Sequence, residues 1–240
     1  MPQHSSDNSQ ASARRGTCIA CGAATKGPFG PCQACGTYTD VALVLSGPNL
    51  SLKTTITHYL RRVLRMPAIE SGYLPSPFNT DGNLDASKRS TRRQYLTSIS
   101  TFFAKLRLGF IVDAAFHSRK VRSDFYRILL QANPNIFILL LYVHCDDPEV
   151  RNYRRTKRNS QVLNTEKGAI SREEEELSLR RYEIPDHETL PNNTPIPTID
   201  VDTARMLVSW QSAQPSLLDD GHIASRVIVS VREALHTGFS

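Results

Sequence analysis

The stretch that most constrains this chain is Val41-Ala-Leu-Val-Leu-Ser-Gly-Pro-Asn-Leu-Ser-Leu-Lys-Thr-Thr55. A short apolar run, Val41 to Leu45, ends in a Gly/Pro/Asn turn. Lys53-Thr54-Thr55 then opens an amphipathic helix carrying Ile56, Tyr59, Leu60, Val63 and Leu64. A strand, a loop and a helix whose first turn holds Lys-Thr form the arrangement that cradles a polyphosphate. The P-loop pattern asks for Gly, four residues, then Gly-Lys-Ser/Thr. Gly47, Lys53 and Thr54 fit, and Leu52 stands where the second glycine is expected. That glycine lets the backbone approach the phosphates. If the position needs a positive φ, leucine there is strained or the loop is remodelled.

Beyond the loop the signals alternate strand and helix, which points to parallel βαβ units. The pattern predicts a helix over 53–65, a short strand at 67–70 and a loop over 72–86. A helix over 88–107 follows, then a buried strand at 109–113 ending in a carboxylate. Helix 118–131, strand 136–143, a strongly basic helix at 148–158 and a charged helix at 172–182 come next. A last strand falls within 195–202 and a closing helix at 222–236. The expected class is α/β, a P-loop NTPase-type parallel sheet flanked by helices.

Ahead of this domain, residues 17–38 contain Cys18-Ile-Ala-Cys21-Gly and Cys32-Gln-Ala-Cys35-Gly. Each is a tight turn aiming two thiolates at one ion, and the spacing lets a short hairpin bring the two together. Cys18, Cys21, Cys32 and Cys35 are therefore read as a closed, structural four-cysteine zinc ribbon. Two such pairs in an intracellular chain favour metal over disulfides. Cys145, alone at a strand end, reads as a small buried hydrophobe. Residues 1–16 are polar and read as a disordered tail, so the expected division is tail 1–16, ribbon 17–38 and P-loop domain 39–240.

No apolar run approaches the ~18 residues that span a bilayer, and Met1 to Arg15 lacks the apolar core of a secretory signal. A cytoplasmic location without membrane association is expected. The net charge of +6 suits a phosphate-bearing partner. The oligomeric state is not encoded legibly.

The strand Phe110-Ile-Val-Asp113 places a carboxylate above the strand ends, in the crevice the loop faces. There an acid of the Walker-B type holds magnesium, with the Thr54 hydroxyl as a second ligand. After it comes Val-Asp113-Ala-Ala-Phe-His-Ser-Arg119-Lys-Val-Arg122. This run resembles the Val-Asp-Ala-Thr-Phe/Asn-x-x-Arg-x-x-Arg segment of a family of P-loop kinases. The family includes polynucleotide 5′-kinases, phosphoseryl-tRNA kinase, the 6-phosphofructo-2-kinase domain and phage kinases of hydroxymethylated DNA bases. Cys145-Asp-Asp-Pro-Glu-Val150 is similar to the strand-to-lid junction of the fructose kinase domain. Arg151-Asn-Tyr-Arg154-Arg155-Thr-Lys-Arg158 resembles the family's arginine-bearing lid helix, within a lid at about 147–170. Arg181-Tyr-Glu-Ile-Pro185 and Thr198-Ile-Asp-Val-Asp202-Thr203 are similar to its Tyr/Phe-Glu-x-Pro and final Asp-Thr segments. The series covers about residues 41–203 and is silent on the acceptor.

The resemblance implies an ATP-dependent phosphotransferase. The loop Gly47-Pro48-Asn49-Leu50-Ser51-Leu52, with Lys53, Thr54 and Thr55, would wrap the nucleotide's phosphates, and Thr54 and Asp113 would serve Mg2+. Arg154, Arg155 or Arg158 would neutralise the charge that develops on the transferring phosphoryl group. Arg119 and Arg122 would face the acceptor or the nucleotide. Glu70 would take the acceptor's proton, with Asp81, Asp85 and Asp113 as rivals. A solvated basic helix face and surface ion pairs are the plainer readings of these arginines.

The ribbon, its flanking cations Arg14, Arg15 and Lys26, and the +6 charge favour a nucleic-acid substrate, DNA ahead of RNA. It could be a hydroxymethylated base such as 5-hydroxymethyluracil, or a polynucleotide end. A base in duplex DNA would have to flip out, with Tyr73 and Phe78 available to stack on it. Two alternatives stand beside this one: a P-loop protein that Leu52 has disabled, acting as a zinc-ribbon binding module, and a small-metabolite kinase.

Overall fold

The computed structural model describes residues 21–23, 30–73, 86–161, 169–210 and 223–237. The expected tail, Cys18, Arg14, Arg15, Lys26, Phe78, Asp81, Asp85 and the 162–168 part of the lid lie outside the described residues, as does the side chain of Tyr73.

Continuous β-branched and leucine runs build a sheet buried on both faces. Its strands are β3 (Val41–Ser46), β4 (Ala68–Glu70), β5 (Phe110–Asp113), β6 (Phe137–His144), β7 (Thr198–Asp202) and β8 (Leu207–Trp210), in the order β4-β5-β3-β6-β7-β8. β1 (Gly30–Pro31) and β2 (Tyr38–Thr39) form a separate antiparallel hairpin. Neighbours from β4 to β7 are parallel, and β8 runs antiparallel to β7. Alternate residues of β3 separate the two faces. Val41, Leu43 and Leu45 meet α1 (Lys53–Leu64) and α6 (Ile223–Thr237). Ala42 and Val44 belong to the core under α2 (Ala86–Lys105) and α3 (Arg119–Ala132). Two further helices, α4 (Pro148–Gln161) and α5 (Arg172–Arg181), lie between β6 and β7 in the chain. All the parallel strands end at the pole that carries the phosphate loop, and their carboxyl ends define the crevice.

β8 is a departure from the sequence reading, which ended the sheet at β7. The β7–β8 turn has no glycine or proline to announce it. Asp202 closes it instead, its Oδ1 accepting from the amides of Ala204 (2.9 Å) and Arg205 (3.2 Å), while Met206 adopts φ 57°.

The hairpin roots at the opposite pole. Tyr38 is buried in the α1-side core, and a Cβ on Gly109 would come within 2.7 Å of the Tyr38 Cβ, so only glycine fits beneath that ring. Asp40 is 2% exposed. Its carboxylate accepts from Arg107 Nε at 3.0 Å, the second guanidinium nitrogen at 2.6 Å and Asn133 Nδ2 at 2.7 Å. β3, at ~3.3 Å per residue, separates this root from the phosphate loop by about 20 Å. None of the described helices is long and apolar enough to cross a membrane.

Candidate active site

β3 delivers Ser46 and Gly47 to the top of the sheet, where the chain squeezes past the end of β6. A Cβ on Gly47 would lie 1.9 Å from the Val143 carbonyl oxygen, so no side chain is possible there. The loop then turns twice through left-handed backbone, at Leu50 (φ 64°) and at Leu52 (φ 66°, ψ 16°). The positive φ that glycine normally supplies is thus kept by a leucine, at a cost of about 1–2 kcal/mol. The strain persists because the loop is over-determined. Lys53 Nζ donates to the carbonyls of Gly47 (2.7 Å) and Pro48 (2.6 Å), Ser51 Oγ donates to the Pro48 carbonyl at 3.0 Å, and α1 starts at once behind them. Loss of water around the ammonium and the nearby charge of Arg158 outweigh Asp113, and the Lys53 pKa falls to about 8.

Thr54, in the first turn of α1, donates its hydroxyl to Asp113 Oδ2 at 2.8 Å. One helical turn on, His58 Nε2 lies 3.0 Å from Glu70 Oε1 and 3.3 Å from Oε2. Glu70 and Asp113 are register partners across β4 and β5. Positions i and i+4 of α1 thus engage two adjacent strand ends, giving neighbouring carboxylates with a hydroxyl and an imidazole. Glu70, the expected proton acceptor, is 3% exposed, whereas half of the His58 side chain remains open. Sequence reasoning missed His58, although its spacing from Thr54 was a usable signal.

The segment after β5 meets the Tyr-Glu-x-Pro segment. Tyr182 OH lies 2.7 Å from Ser46 Oγ, the Glu183 amide donates to the His117 carbonyl at 2.7 Å, and Glu183 Oε2 accepts from the Arg119 amide at 2.7 Å. The role expected of Arg122 needs correction. Arg122 does not face an acceptor: it is fully buried, donating to the Phe116 carbonyl (2.7 Å) and Glu188 (2.6 Å), with the Tyr182 ring 5.7 Å away. It fixes Phe116, whose φ of 44° would otherwise be unfavourable. Arg119 is exposed and donates one guanidinium hydrogen bond to the Asp186 carbonyl. Arg122 holds the crevice wall together. Tyr182 stacks on Tyr142 (5.7 Å) and Tyr142 on His144 (4.7 Å). Burial works against the His144 imidazolium, but hydrogen bonds and charge from Asp200 and Asp146 prevail and raise its pKa to about 9.

The lid arginines divide into three postures. Arg154 joins the loop rim to the β7 end, donating to the Leu50 carbonyl (3.1 Å), Thr203 Oγ1 (2.8 Å) and the Thr203 carbonyl (2.8 Å). Arg155 is held by Glu175 of α5 at 2.8 Å, and Glu175 also takes Arg151 at 3.1 Å. Arg158 is the one whose charge reaches Lys53. Helix α5 also touches the loop directly, since Ser178 Oγ accepts from the Asn49 amide at 3.1 Å. Asn159 closes the base of the lid, exchanging two hydrogen bonds with the Ile170 backbone at 2.9 and 3.0 Å.

No protein-family model matches the sequence, and neither does any curated protein. Among solved structures, the chain is similar to a sugar kinase from Janibacter sp. HTCC2649. Identity is 16%, the TM-score is 0.55, and 81% of this chain and 96% of that chain are covered. A gluconokinase from Sinorhizobium meliloti 1021 aligns at 17% identity and TM-score 0.55, over 84% of this chain and 97% of that one. Kti12 from Chaetomium thermophilum, solved with ADP-AlF3, aligns at 17% identity and TM-score 0.53, over 81% and 98%. The chain shares with these structures an α/β fold, a mostly parallel six-stranded sheet flanked by helices.

Beside this fold the chain carries a cysteine cluster. The Sγ atoms of Cys21, Cys32 and Cys35 all lie within 4.8 Å of one another, with Cys21 and Cys32 at 3.7 Å. Tetrahedral Zn–S bonds of about 2.3 Å would set sulfurs about 3.8 Å apart, whereas a disulfide needs about 2.05 Å. The three thiols fit a metal. Gly22 (φ 74°) and Gly36 (φ 73°) turn the backbone identically behind the two cysteine pairs, as the Cys-x-x-Cys-Gly repeat implied.

Proposed function

We propose that this chain is an ATP-dependent kinase that moves a γ-phosphoryl group to a hydroxyl, with nucleic acid as the acceptor. One observation carries the reading: Lys53, Thr54 and Asp113 converge above the strand ends behind a loop whose Leu52 keeps the backbone turn that the motif assigns to glycine. A retired loop would be expected to lose that turn, so Leu52 no longer argues for a binding module alone.

Lys53 and the loop amides would bind the phosphates of ATP, with Thr54 and Asp113 as the Mg2+ ligands. The metal, when bound, supplies the charge that neutralises the phosphoryl oxygens. Arg158, whose charge bears on Lys53, would add positive charge there, and Arg154 secures the loop rim. Glu70, held by His58, would take the acceptor's proton. Cys21, Cys32 and Cys35, with Cys18, would hold a structural Zn2+. Support for a nucleic-acid acceptor comes from the net charge of +6 and from the cysteine cluster.

A second reading has its own support. Two of the similar folds are named as a sugar kinase and a gluconokinase, which favours a small polyol acceptor. Transfer of label from γ-labelled ATP separates the readings when DNA with and without hydroxymethylated bases, RNA, and small polyols compete. Label on a nucleic acid, lost at least ~100-fold in Lys53→Ala, is the expected result. Label on a polyol alone would shift the acceptor class. No transfer to any acceptor, with ATP binding equal in wild type and Lys53→Ala, would remove the kinase reading.

A further inference from the structure

The outer face of α1 carries positive charge that the chain does not neutralise. From Lys53 to Ile69 the sequence holds Arg61, Arg62 and Arg65 and no Asp or Glu. All three arginines are exposed. Among the described residues, no ion pair or hydrogen bond engages their guanidinium groups. Other arginines around the sheet are spent within the fold: Arg107 on Asp40, Arg122 on Glu188, Arg151 and Arg155 on Glu175.

Helical spacing gathers this charge. His58, Arg61, Arg62 and Arg65 fall at i, i+3, i+4 and i+7, which is one stripe of a helix. The other side of α1 buries Ile56, Leu60 and Leu64 against the sheet, so the stripe faces solvent.

The stability of α1 does not account for the row. A helix dipole favours cations in the last turn, but Arg61 and Arg65, four apart, and Arg62 and Arg65, three apart, repel each other. Arg65 also stands at the C-cap with φ 53° and ψ 32°, a left-handed turn that glycine or asparagine usually makes. Three neighbouring cations with no counter-charge of their own are a seat for an anion from outside the chain.

The start of the stripe indicates which anion. His58 has half of its side chain open and lies 3.0 Å from Glu70 Oε1, at the rim of the crevice. Seven residues further, at ~1.5 Å each, Arg65 stands about 10 Å down the outside of α1. The row therefore leads away from the carboxylate that would take the acceptor's proton.

We propose that the phosphates of the acceptor strand lie along Arg61, Arg62 and Arg65, with the reactive hydroxyl at the Glu70 end of the row. This rests on the nucleic-acid reading above and specifies its surface. A guanidinium pairs with a phosphate through parallel N–H···O bonds. At the ~3.4 Å per nucleotide of a stacked strand, a row of about 10 Å serves about three nucleotides. It holds the backbone beside the reacting nucleotide and reads no base identity.

The test measures binding of the full chain to fluorescent DNA and RNA single strands of about eight nucleotides, by anisotropy across a salt series. Arg62→Gln combined with Arg65→Gln should lower the slope of log K against log salt by about 1.4, at ~0.7 per lost phosphate contact, and leave ATP affinity unchanged. Arg62→Lys combined with Arg65→Lys should keep the wild-type slope, which separates loss of charge from misfolding. Lys105→Gln combined with Lys120→Gln, at exposed positions of the α2–α3 layer across the sheet, should keep it as well. An unchanged slope in the Arg62/Arg65 glutamine variant, or an equal drop in the Lys105/Lys120 variant, overturns the row and leaves the nucleic-acid reading standing. Failure of the wild type to bind any strand at low salt overturns both, and binding to phosphatidylserine vesicles in its place would give the face to a membrane surface.

Discussion

Gly47 and Leu52 sit at the two ends of one loop and answer the same requirement in opposite ways. At Gly47 the constraint is contact: a Cβ would overlap the Val143 carbonyl, and no rearrangement short of moving β6 makes room. At Leu52 the constraint is torsional. The backbone must turn left-handed, and a leucine can do so at the cost of about 1–2 kcal/mol without striking anything. The pattern of the motif treats both positions as glycine, yet only one is forced by volume. The other is a preference that surrounding hydrogen bonds can override.

The comparison can be broken at either end. Gly47→Ala should have the largest effect, a loss of phosphoryl transfer of at least ~100-fold with a lower melting temperature; near-normal turnover would show that the loop is not packed on β6 as described. Between the two ends lies Lys53. Its pKa of about 8 means that the free protein carries a neutral amine increasingly above that pH. A neutral amine cannot pair with phosphate, so kcat/KM for ATP should fall on the alkaline side by ~tenfold per pH unit. A flat profile up to pH ~10 would place the lysine near its ordinary value. Leu52→Gly should raise thermal stability by up to ~1.5 kcal/mol, since relief of ~1–2 kcal/mol of torsional cost is partly offset by glycine's larger entropy loss of ~0.5–1 kcal/mol, and should leave ATP affinity nearly unchanged because the turn is already formed without ligand. Weaker binding would mean that the leucine side chain itself helps shape the site. Ser178→Ala should act least, tightening ATP binding by a few-fold at most, as expected for removal of one hydrogen bond of ~1 kcal/mol. Calorimetric titration of ATP reads both affinities, and thermal melting reads the stability.

The parts of the fold that sequence made legible are those where side-chain chemistry and backbone path coincide. The runs Val41–Leu45 and Phe110–Val112 are buried on both faces and could be little else than central strands. Lys53-Thr54 and Asp113 are legible because the motif pattern expects them where a strand ends and a helix begins. What stayed hidden depends on partners distant in the chain. Arg122 reads as a solvated cation until Glu188, 66 residues on, supplies the carboxylate that lets it be buried. Arg119 likewise finds its acceptor in Asp186. β8 escaped notice because its turn is made by the Asp202 side chain and not by a glycine or proline. Leu52 looked like a defect because a residue's identity reports a preference for φ, whereas the hydrogen bonds of Lys53 and Ser51 decide it. His58 lies one helical turn from Thr54, a spacing visible in the sequence, whereas its contact with Glu70 depends on where β4 ends.

One contact made by α5 carries a consequence for how the site is entered. The Asn49 amide, part of the cradle, already has a partner in Ser178 Oγ at 3.1 Å, and an N–H group serves one strong acceptor at a time. An incoming phosphate oxygen and that hydroxyl are rivals for the same proton. The observed affinity for any anion in the loop is therefore a difference between two occupancies, the second of which never leaves the molecule. On the kinase reading the loop would behave as a receptor with a tethered competitor, and the fraction of time the tether is released would set the ceiling on how tightly nucleotide is held.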